Sequence, residues 1–348
     1  MGEIESVSVI EGPYLNDILN QPEAVRNTIR ALRESDPGTV RELIARSGAG
    51  PILLTGMGSS YHALHPLALR LIARGHTPLM VETGELIHAR RGLIRPGGLI
   101  VAVSQSGRSV EIVHLLRLAK GRANLIGVTN TPGSPLARQA EAVVMMAAGE
   151  ESTVSCKTYL ATLVALEWLG DVMLNGNGRR ISRMAPAATA AETYLKAWRR
   201  HVAALTRQLD GIDSLFLLGR GASLAAAGTG GLIVKESAHF HSEGMSTAAF
   251  RHGPFEMTSP RVAVLLFDSD ARFAELTARL AADIRRAGGR VFLAGHSGRG
   301  PFRLPPVTRA ALPLIELLPV EIITLALAAR AGREAGRFDL ASKITISE

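Results

Sequence analysis

The chain contains one pattern of strands and glycines twice, and this internal repeat constrains its fold more than any other feature. Residues Pro51–Ser60 and Ser214–Ser223 are each an apolar strand that runs into Gly-x-Gly-x-Ser, and the second copy begins 163 residues after the first. At the same offset, the apolar run Leu99–Val103 matches Val262–Leu266. Self-similarity at one offset indicates two copies of one structural unit. The length of 348 residues also suits two domains of about 150 residues each.

Each copy alternates apolar strands with helical segments such as Val110–Lys120 and Phe273–Ala287. Nearly continuous apolar strands are buried on both faces, which is typical of a parallel sheet between two layers of helices. We therefore predict an α/β fold of two tandem domains, each a parallel sheet flanked by helices on both faces. The predicted parts are a helical lead-in at 1–35, a first domain at 36–175, a linker helix at 176–194, a second domain at 195–330 and a tail at 331–348.

Composition is that of a globular protein, with 47% hydrophobic and 20% charged residues. The single cysteine, Cys156, excludes an internal disulfide framework and fits a reducing compartment. The apolar segments Leu160–Leu174 and Ala311–Ala331 are interrupted by charged residues, which favours buried helices over membrane spans. The start of the chain lacks the pattern of a secretory signal. We expect a cytoplasmic protein with no membrane partner.

The net charge of +8 favours an anionic partner. The arginines are scattered and aromatic residues make up only 4%, so a small anionic substrate explains the charge better than nucleic acid does. Neither glycine-rich loop has the third glycine of a dinucleotide fingerprint, because Tyr61 and Leu224 stand there. The pair His239 and His241 lacks a third ligand at metal-binding spacing. We expect no cofactor and no metal.

Three hydroxyl-rich loops of the first copy follow strands and precede helices: Gly56–Ser60, Ser104–Ser109 and Glu150–Thr158. Parallel sheets bind ligands at the carboxyl ends of their strands, where main-chain N–H groups and serine hydroxyls suit a phosphate. Any one of these loops could be an ordinary turn with a helix cap, but three in one sheet favour phosphate binding. In the second copy, Phe267–Asp270 carries two carboxylates, which would repel a phosphate.

The loop Ser104–Ser109 resembles the phosphosugar-binding loop of sugar isomerase (SIS) domains. Further segments resemble the isomerase half of the glucosamine-6-phosphate synthase family, and they occur in the family's order. These segments are the N-terminal helix Asn20–Thr28, the pair Lys235–Glu236, the catalytic loop Arg251–Pro254 and the C-terminal tail Leu340–Thr345. The resemblance therefore covers nearly the whole chain and implies two SIS domains.

The resemblance also implies roles for individual residues. Those expected to bind the substrate phosphate are Ser60, Ser104, Gln105, Ser106 and Ser109. Glu236 is expected to move a proton between sugar C1 and C2, a task suited to a carboxylate. His252 is expected to open the ring, as histidine titrates near neutrality, and in the family a partner subunit supplies it, which implies a homodimer. Lys343 is expected to meet the carbonyl or the ring oxygen from the tail.

Departures from the family narrow the expected reaction. The synthase has an amidohydrolase domain that releases ammonia from glutamine, and we expect none in a chain that starts Met1-Gly2. Ile233 replaces a synthase lysine, and Arg108 makes the serine loop more like that of the deaminase branch. The first candidate is conversion of glucosamine-6-phosphate to fructose-6-phosphate and ammonia. The alternatives are a deglycase acting on a ketosamine phosphate, and a sugar-phosphate sensor without catalysis.

Overall fold

The computed structural model describes residues 9–48, 50–340 and 342–345. They divide into two compact units, each with its own β-sheet. The first-sheet unit comprises residues 23–151 and 157–185 together with the end of the chain from residue 340. The second-sheet unit comprises residues 186–339 and 152–156 together with the start of the chain up to residue 22.

The first-sheet unit contains a five-stranded sheet in the order β2-β1-β3-β4-β5, with every pair parallel. The strands are β1 (Ile52–Gly56), β2 (Pro78–Glu82), β3 (Leu99–Val103), β4 (Asn124–Thr129) and β5 (Ala142–Met145). Every residue of β3 is buried. A central strand covered on both faces has no solvent side, which is why its sequence is apolar throughout.

The α-helices around the first sheet are Gln21–Glu34, Gly38–Arg46, Gly58–His62, His65–Ile72, Thr83–His88, Val110–Ala119, Pro135–Gln139 and Lys157–Met173. Short 3-10 helices span Arg91–Leu93 and Arg179–Met184. On one face of the sheet, Leu53 and Ile100 pack in a cluster with Leu115. Helix Lys157–Met173 is buried almost throughout, as expected for the apolar run at 160–174.

The second-sheet unit contains a four-stranded parallel sheet in the order β7-β6-β8-β9. Its strands are β6 (Ser214–Gly219), β7 (Ser242–Ser246), β8 (Val262–Phe267) and β9 (Arg290–Ala294). This order repeats that of the first four strands, so the predicted duplication is confirmed at the level of topology. The predicted fold class, two parallel sheets flanked by helices, is confirmed with it.

The remaining α-helices are Pro13–Leu19, Ala185–Leu195, Trp198–Gln208, Leu224–Ala238, Thr247–Arg251, Ala274–Arg286, Leu312–Glu316 and Leu318–Arg330. Further 3-10 helices span Gly221–Ser223, Pro254–Met257, Ala271–Phe273, Gly300–Phe302 and Arg309–Ala311. Within the second-sheet unit, the Thr324 hydroxyl donates a hydrogen bond of 3.2 Å to the hydroxyl of Tyr14. This bond joins the first described helix to the last one.

One segment, Arg309–Arg330, is long and apolar enough to cross a membrane by length and composition, with a mean hydropathy of 1.9. Of its most apolar window, 94% is buried inside the protein. Burial in a protein core accounts for the apolar sequence of this segment equally well.

Candidate active site

The loop at 104–109 turns sharply between β3 and the helix that follows it. The buried Ser104 Oγ accepts a hydrogen bond of 3.1 Å from Gly107 N, and Ser106 Oγ accepts one of 3.3 Å from Arg108 N. Both serine hydroxyls therefore lie within the turn that leads into the helix. Main-chain N–H groups at a helix N-terminus together with hydroxyls form a favourable environment for an anion.

Gly107 is required by the geometry of this turn. Its φ of +59° is left-handed, and a Cβ atom at this position would lie 2.4 Å from Ser134 Oγ. Its carbonyl oxygen accepts a hydrogen bond of 3.1 Å from Leu136 N. Glycine alone adopts such a conformation without steric cost, so the glycine in the Ser-Gln-Ser-Gly motif determines the shape of the loop.

Gln105 attaches the loop to the end of β4. Its main-chain oxygen accepts hydrogen bonds of 3.2 Å from the hydroxyls of Thr129 and Thr131 and one of 3.1 Å from Asn130 N. At the end of the loop, Ser109 occupies the N-cap position of helix Val110–Ala119, and its side chain makes no capping hydrogen bond. Its hydroxyl is therefore not committed to the helix cap.

Ser60 lies on a neighbouring loop at the same edge of the sheet. β1 pairs with β3 so that Gly56 is opposite Val103, and the two loops therefore leave adjacent strands at the same level. Ser60 is half-buried in the short helix after β1. Beside it, the buried Ser59 Oγ has no hydrogen-bond partner among the described residues.

The described part of the tail folds back onto the first-sheet unit. Thr345 O accepts a hydrogen bond of 3.2 Å from Val110 N, the residue directly after the serine loop. Lys343 Nζ donates to the main-chain oxygen of Glu151 and lies 3.9 Å from its carboxylate Oε2. The tail therefore reaches from the start of the helix after the serine loop to the segment at Glu151.

Glu151 is a residue of this region that the sequence analysis missed. Its buried carboxylate accepts hydrogen bonds from Thr158 N at 2.9 Å and from Thr158 Oγ1 at 2.5 Å. In the sequence, the segment 150–158 stands out for its hydroxyl groups, and Glu151 is marked only as an acidic residue that precedes a strongly apolar helix. Acidic residues are common in such positions, so the signal was weak.

The other two predicted catalytic residues belong to the second-sheet unit. Glu236 is half-buried near the C-terminal end of helix Leu224–Ala238, and His252 is exposed directly after the short helix Thr247–Arg251. The structure thus brings the five predicted phosphate ligands and Lys343 into one unit and places Glu236 and His252 in the other.

In the second-sheet unit, carboxylates follow β8 at the position where the serine loop follows β3 in the first-sheet unit. Burial raises the pKa of Glu316 to about 7, and Ser223 Oγ donates a hydrogen bond of 2.8 Å to its Oε1. Burial also raises the pKa of Asp268, whereas hydrogen bonds from Arg272 lower the pKa of Asp270. A phosphate dianion is disfavoured beside these carboxyl groups. Among the described residues, no three His, Cys, Asp or Glu side chains are arranged to hold a metal ion.

The comparison with known families agrees with this geometry. The sequence at residues 47–170 matches the family model described as "SIS domain". Residues 47–170 are a SIS domain. The match includes β1, β3 and the serine loop between β3 and its helix. The second sheet repeats the strand order of the first four strands of this domain, so the second-sheet unit has a SIS-like fold.

Curated relatives of the chain are named glutamine–fructose-6-phosphate aminotransferase [isomerizing]. The protein of Pyrococcus horikoshii is 28% identical over 349 residues, which cover 95% of this chain and 57% of the relative. The protein of Aeropyrum pernix is 32% identical over 276 residues, covering 74% of this chain and 43% of the relative. This chain therefore spans roughly half the length of these relatives.

Solved structures share the fold over nearly the whole chain. The C-terminal domain of glucosamine-fructose-6-phosphate aminotransferase from Francisella tularensis has a TM-score of 0.83 at 21% identity, covering 95% of this chain and 99% of that one. Glucosamine-6-phosphate deaminase from Thermotoga maritima has a TM-score of 0.74 at 18% identity, covering 97% and 100%. Both identities are below 25%, so these similarities show the fold alone.

Proposed function

We propose that this chain is a phosphosugar isomerase that acts on an amino sugar phosphate, with glucosamine-6-phosphate as the first candidate. The observation that carries the proposal is the placement of the tail. Thr345 O bonds to Val110 N directly behind the serine loop, and Lys343 is held at Glu151 in the same unit. The unit that has the predicted phosphate loop thus also carries the amine that we propose for catalysis. A binding protein would need the loop alone.

The proposed phosphate ligands are the hydroxyl groups and main-chain N–H groups around the serine loop. They are contributed by Ser60, Ser104, Gln105, Ser106 and Ser109. The net charge of +8 adds long-range attraction for a dianionic substrate. Hydrogen bonds to a charged group contribute about 1.5–3 kcal/mol each, so a few of them are enough to hold a sugar phosphate.

The proposed reaction is a proton shift followed by hydrolysis. His252 of a partner subunit opens the ring and gives the free aldehyde at C1. Glu236 then removes the proton from C2 and returns it to C1. The C1 oxygen gains a proton and the amine nitrogen loses one, so the amino aldehyde becomes a ketimine at C2 with a hydroxyl at C1. Water adds to the ketimine and ammonia leaves, which gives fructose-6-phosphate. Lys343 is proposed to meet the carbonyl or ring oxygen, and the assembly is proposed to be a cytoplasmic homodimer.

Arg108 favours the deaminase among these activities. It makes the serine loop Ser-Gly-Arg-Ser, which resembles the loop of the deaminase branch, and the residue is exposed beside Ser106. A ketosamine-phosphate deglycase would use the same residues on a substrate whose amine carries an amino acid. The two enzymes differ in the amine that is released, so the product distinguishes them.

The test is a product screen with the purified protein. Glucosamine-6-phosphate, fructose-6-phosphate and a ketosamine phosphate are each incubated with the protein, and released ammonia, released amine and new ketose are measured separately. Release of ammonia with formation of fructose-6-phosphate supports the deaminase, and the variant Glu236→Gln should abolish it. Tight binding of these sugars by calorimetry without turnover of any of them would contradict the enzyme and support a sensor.

A further inference from the structure

A groove of about 520 Å³ lies on the first-sheet unit and is lined by none of the candidate active-site residues. Its lining residues are Arg26, Ile29, Arg30, Arg33, Glu34 and Ala185. We propose that this groove binds a small molecule that carries a chain of two or three phosphate groups. Its volume lies within the range of about 300–1,000 Å³ that is usual for small-molecule sites.

The spacing of the three arginines suits an extended anion. Arg26, Arg30 and Arg33 belong to the helix Gln21–Glu34 and recur at intervals of four and three residues, which places them on one face. With a rise of 1.5 Å per residue, the first and last lie about 10 Å apart along the helix axis. Three guanidinium groups in a row over that length match a phosphate chain better than a single phosphate.

A second groove of about 280 Å³ continues the basic surface, because Arg33 lines both. Arg41 and Arg179 also line this second groove. Glu34 is the single carboxylate among the lining residues of the two grooves. Like charges three or four residues apart on a helix repel, and a bound polyanion would relieve that repulsion between Arg26, Arg30 and Arg33.

Arg26 forms an ion pair of 3.8 Å with Glu23, whereas the contacts of Arg30, Arg33 and Arg41 leave N–H donors for a ligand. Arg30 donates a hydrogen bond of 2.9 Å to the neutral Asn27 Oδ1, and Arg41 donates one of 2.6 Å to the main-chain oxygen of Gly176. Within residues 9–48, 50–340 and 342–345, Arg33 has no hydrogen bond or ion pair. Each guanidinium offers five N–H donors in a planar fork that matches phosphate oxygens, so donors remain for a ligand.

The lining residues favour a small molecule over nucleic acid. Neither groove has an aromatic side chain in its lining, and single-stranded nucleic acid is usually bound by stacking its bases on aromatic rings. The ligand is therefore recognised through its phosphates, with Ile29 and Ala185 as the apolar contacts in the larger groove.

The proposal is tested by calorimetric titration of the full chain with inorganic tripolyphosphate, pyrophosphate and orthophosphate at low and moderate salt. We expect affinity to fall in that order and to fall with salt. Arg33→Gln and Arg30→Gln should each weaken tripolyphosphate binding roughly tenfold or more, the lower end for a lost charged hydrogen bond. Arg46→Gln is the matched control, because Arg46 is exposed in the same unit and lines neither groove.

Three results would overturn the proposal. Equal affinity for orthophosphate and tripolyphosphate would show that the three arginines do not bind successive phosphate groups of one chain. Equal losses in Arg46→Gln and Arg33→Gln would show that only net charge matters. Loss of tripolyphosphate binding in Ser104→Ala, with Arg33→Gln unaffected, would place the anion in the serine loop instead, and this outcome leaves the proposed isomerase untouched.

Discussion

Lys343 Nζ donates a hydrogen bond to the main-chain oxygen of Glu151 and lies 3.9 Å from Oε2 of the same residue. The Glu151 carboxylate is itself held by the main chain and hydroxyl of Thr158. A flexible chain end is usually frayed unless something ties it down. Here a buried carboxylate and a carbonyl oxygen hold the lysine of the tail, and Val110 N holds Thr345.

Removing the amine of Lys343 should remove turnover and leave binding nearly intact. Lys343→Met keeps much of the length of the side chain, so phosphate binding should change by less than about threefold while kcat falls by 10²-fold or more, the usual scale for a lost acid–base group. The measurement is kcat and KM on the substrate found in the screen, with calorimetry for binding. Near-full kcat in Lys343→Met would show that the lysine carries no chemistry.

Glu151→Gln tests whether the carboxylate positions the tail. The amide retains the shape but loses the charge next to Lys343, so the tail should be held less well. We expect a smaller loss of kcat than in Lys343→Met. We also expect a lysine-specific protease to cleave the tail after Lys343 faster than in the parent protein. If tail proteolysis is unchanged while kcat falls equally in both variants, Glu151 acts in some other way than by holding the tail.

Ser104→Ala and Ser106→Ala should weaken binding of a sugar phosphate. Losing one hydrogen bond to a charged group costs about 1.5–3 kcal/mol, which corresponds to roughly 10- to 150-fold in affinity. Ser104 should show the larger effect, because it is buried and its bond from Gly107 N, at 3.1 Å, is shorter than the 3.3 Å bond that Ser106 accepts from Arg108 N. Calorimetry with fructose-6-phosphate measures both, and Ser182→Ala, an exposed serine of the same unit, is the control. Unchanged affinity in Ser104→Ala would show that Ser104 does not bind the phosphate.

Gly107→Ala should abolish phosphate binding through a clash. The added Cβ would lie 2.4 Å from Ser134 Oγ, so the loop must move. Gly121→Ala is a close control, since Gly121 has a similar φ of +69° but nothing within 4 Å of its Cβ position. A left-handed alanine should lower the free energy of unfolding of both variants by about 1 kcal/mol. Only Gly107→Ala should also lose phosphate binding. Equal behaviour of the two variants in calorimetry and thermal unfolding would contradict this account.

Subunit complementation tests the proposed homodimer. Glu236→Gln and His252→Ala chains should each be inactive, and a mixture should regain part of the activity if one subunit supplies Glu236 and its partner supplies His252. The exposure of His252 leaves its ring accessible to a second copy. Light scattering gives the assembly state. A monomer, or no recovery after verified subunit exchange, would exclude the shared site.

Glu316 should make the second-sheet unit less stable as pH rises. Burial raises its pKa to about 7 from 4.5, so the folded state holds a proton that the unfolded state has released between these values. Stability is therefore complete below pH 4.5 and is lost as pH rises through about 7, by about 3 kcal/mol at 1.36 kcal/mol per unit. Glu316→Gln should lack this loss.

The measurement uses Trp198, one of the two tryptophans. In a Trp168→Phe background, its fluorescence follows urea unfolding of the second-sheet unit alone, because Trp198 is buried there. The difference in unfolding free energy between the parent and its Glu316→Gln variant is compared at pH 5 and pH 8. A difference that is the same at both pH values would show that Glu316 titrates normally.

The fold could be predicted from the sequence because its signals are local. A strand buried on both faces must be apolar along its length, so β1, β3, β6 and β8 are visible as apolar runs, and their repetition at one offset shows the duplication. The serine loop is equally local, because its hydroxyls and the required Gly107 are contiguous. The roles of Glu236, His252 and Lys343 rest on resemblance and remain predictions.

What the tertiary structure decided are relations between residues far apart in the chain. Glu151 and Lys343 are 192 residues apart, and their contact forms only when the tail folds back, so no local pattern signals it. The pKa of Glu316 depends on burial and on the hydrogen bond from Ser223, whereas the chain sequence shows Glu316 only as one carboxylate within an apolar segment. Likewise, Ala185 joins the arginines of Gln21–Glu34 in one groove because folding brings distant segments together, and a surface's charge density depends on that packing rather than on composition.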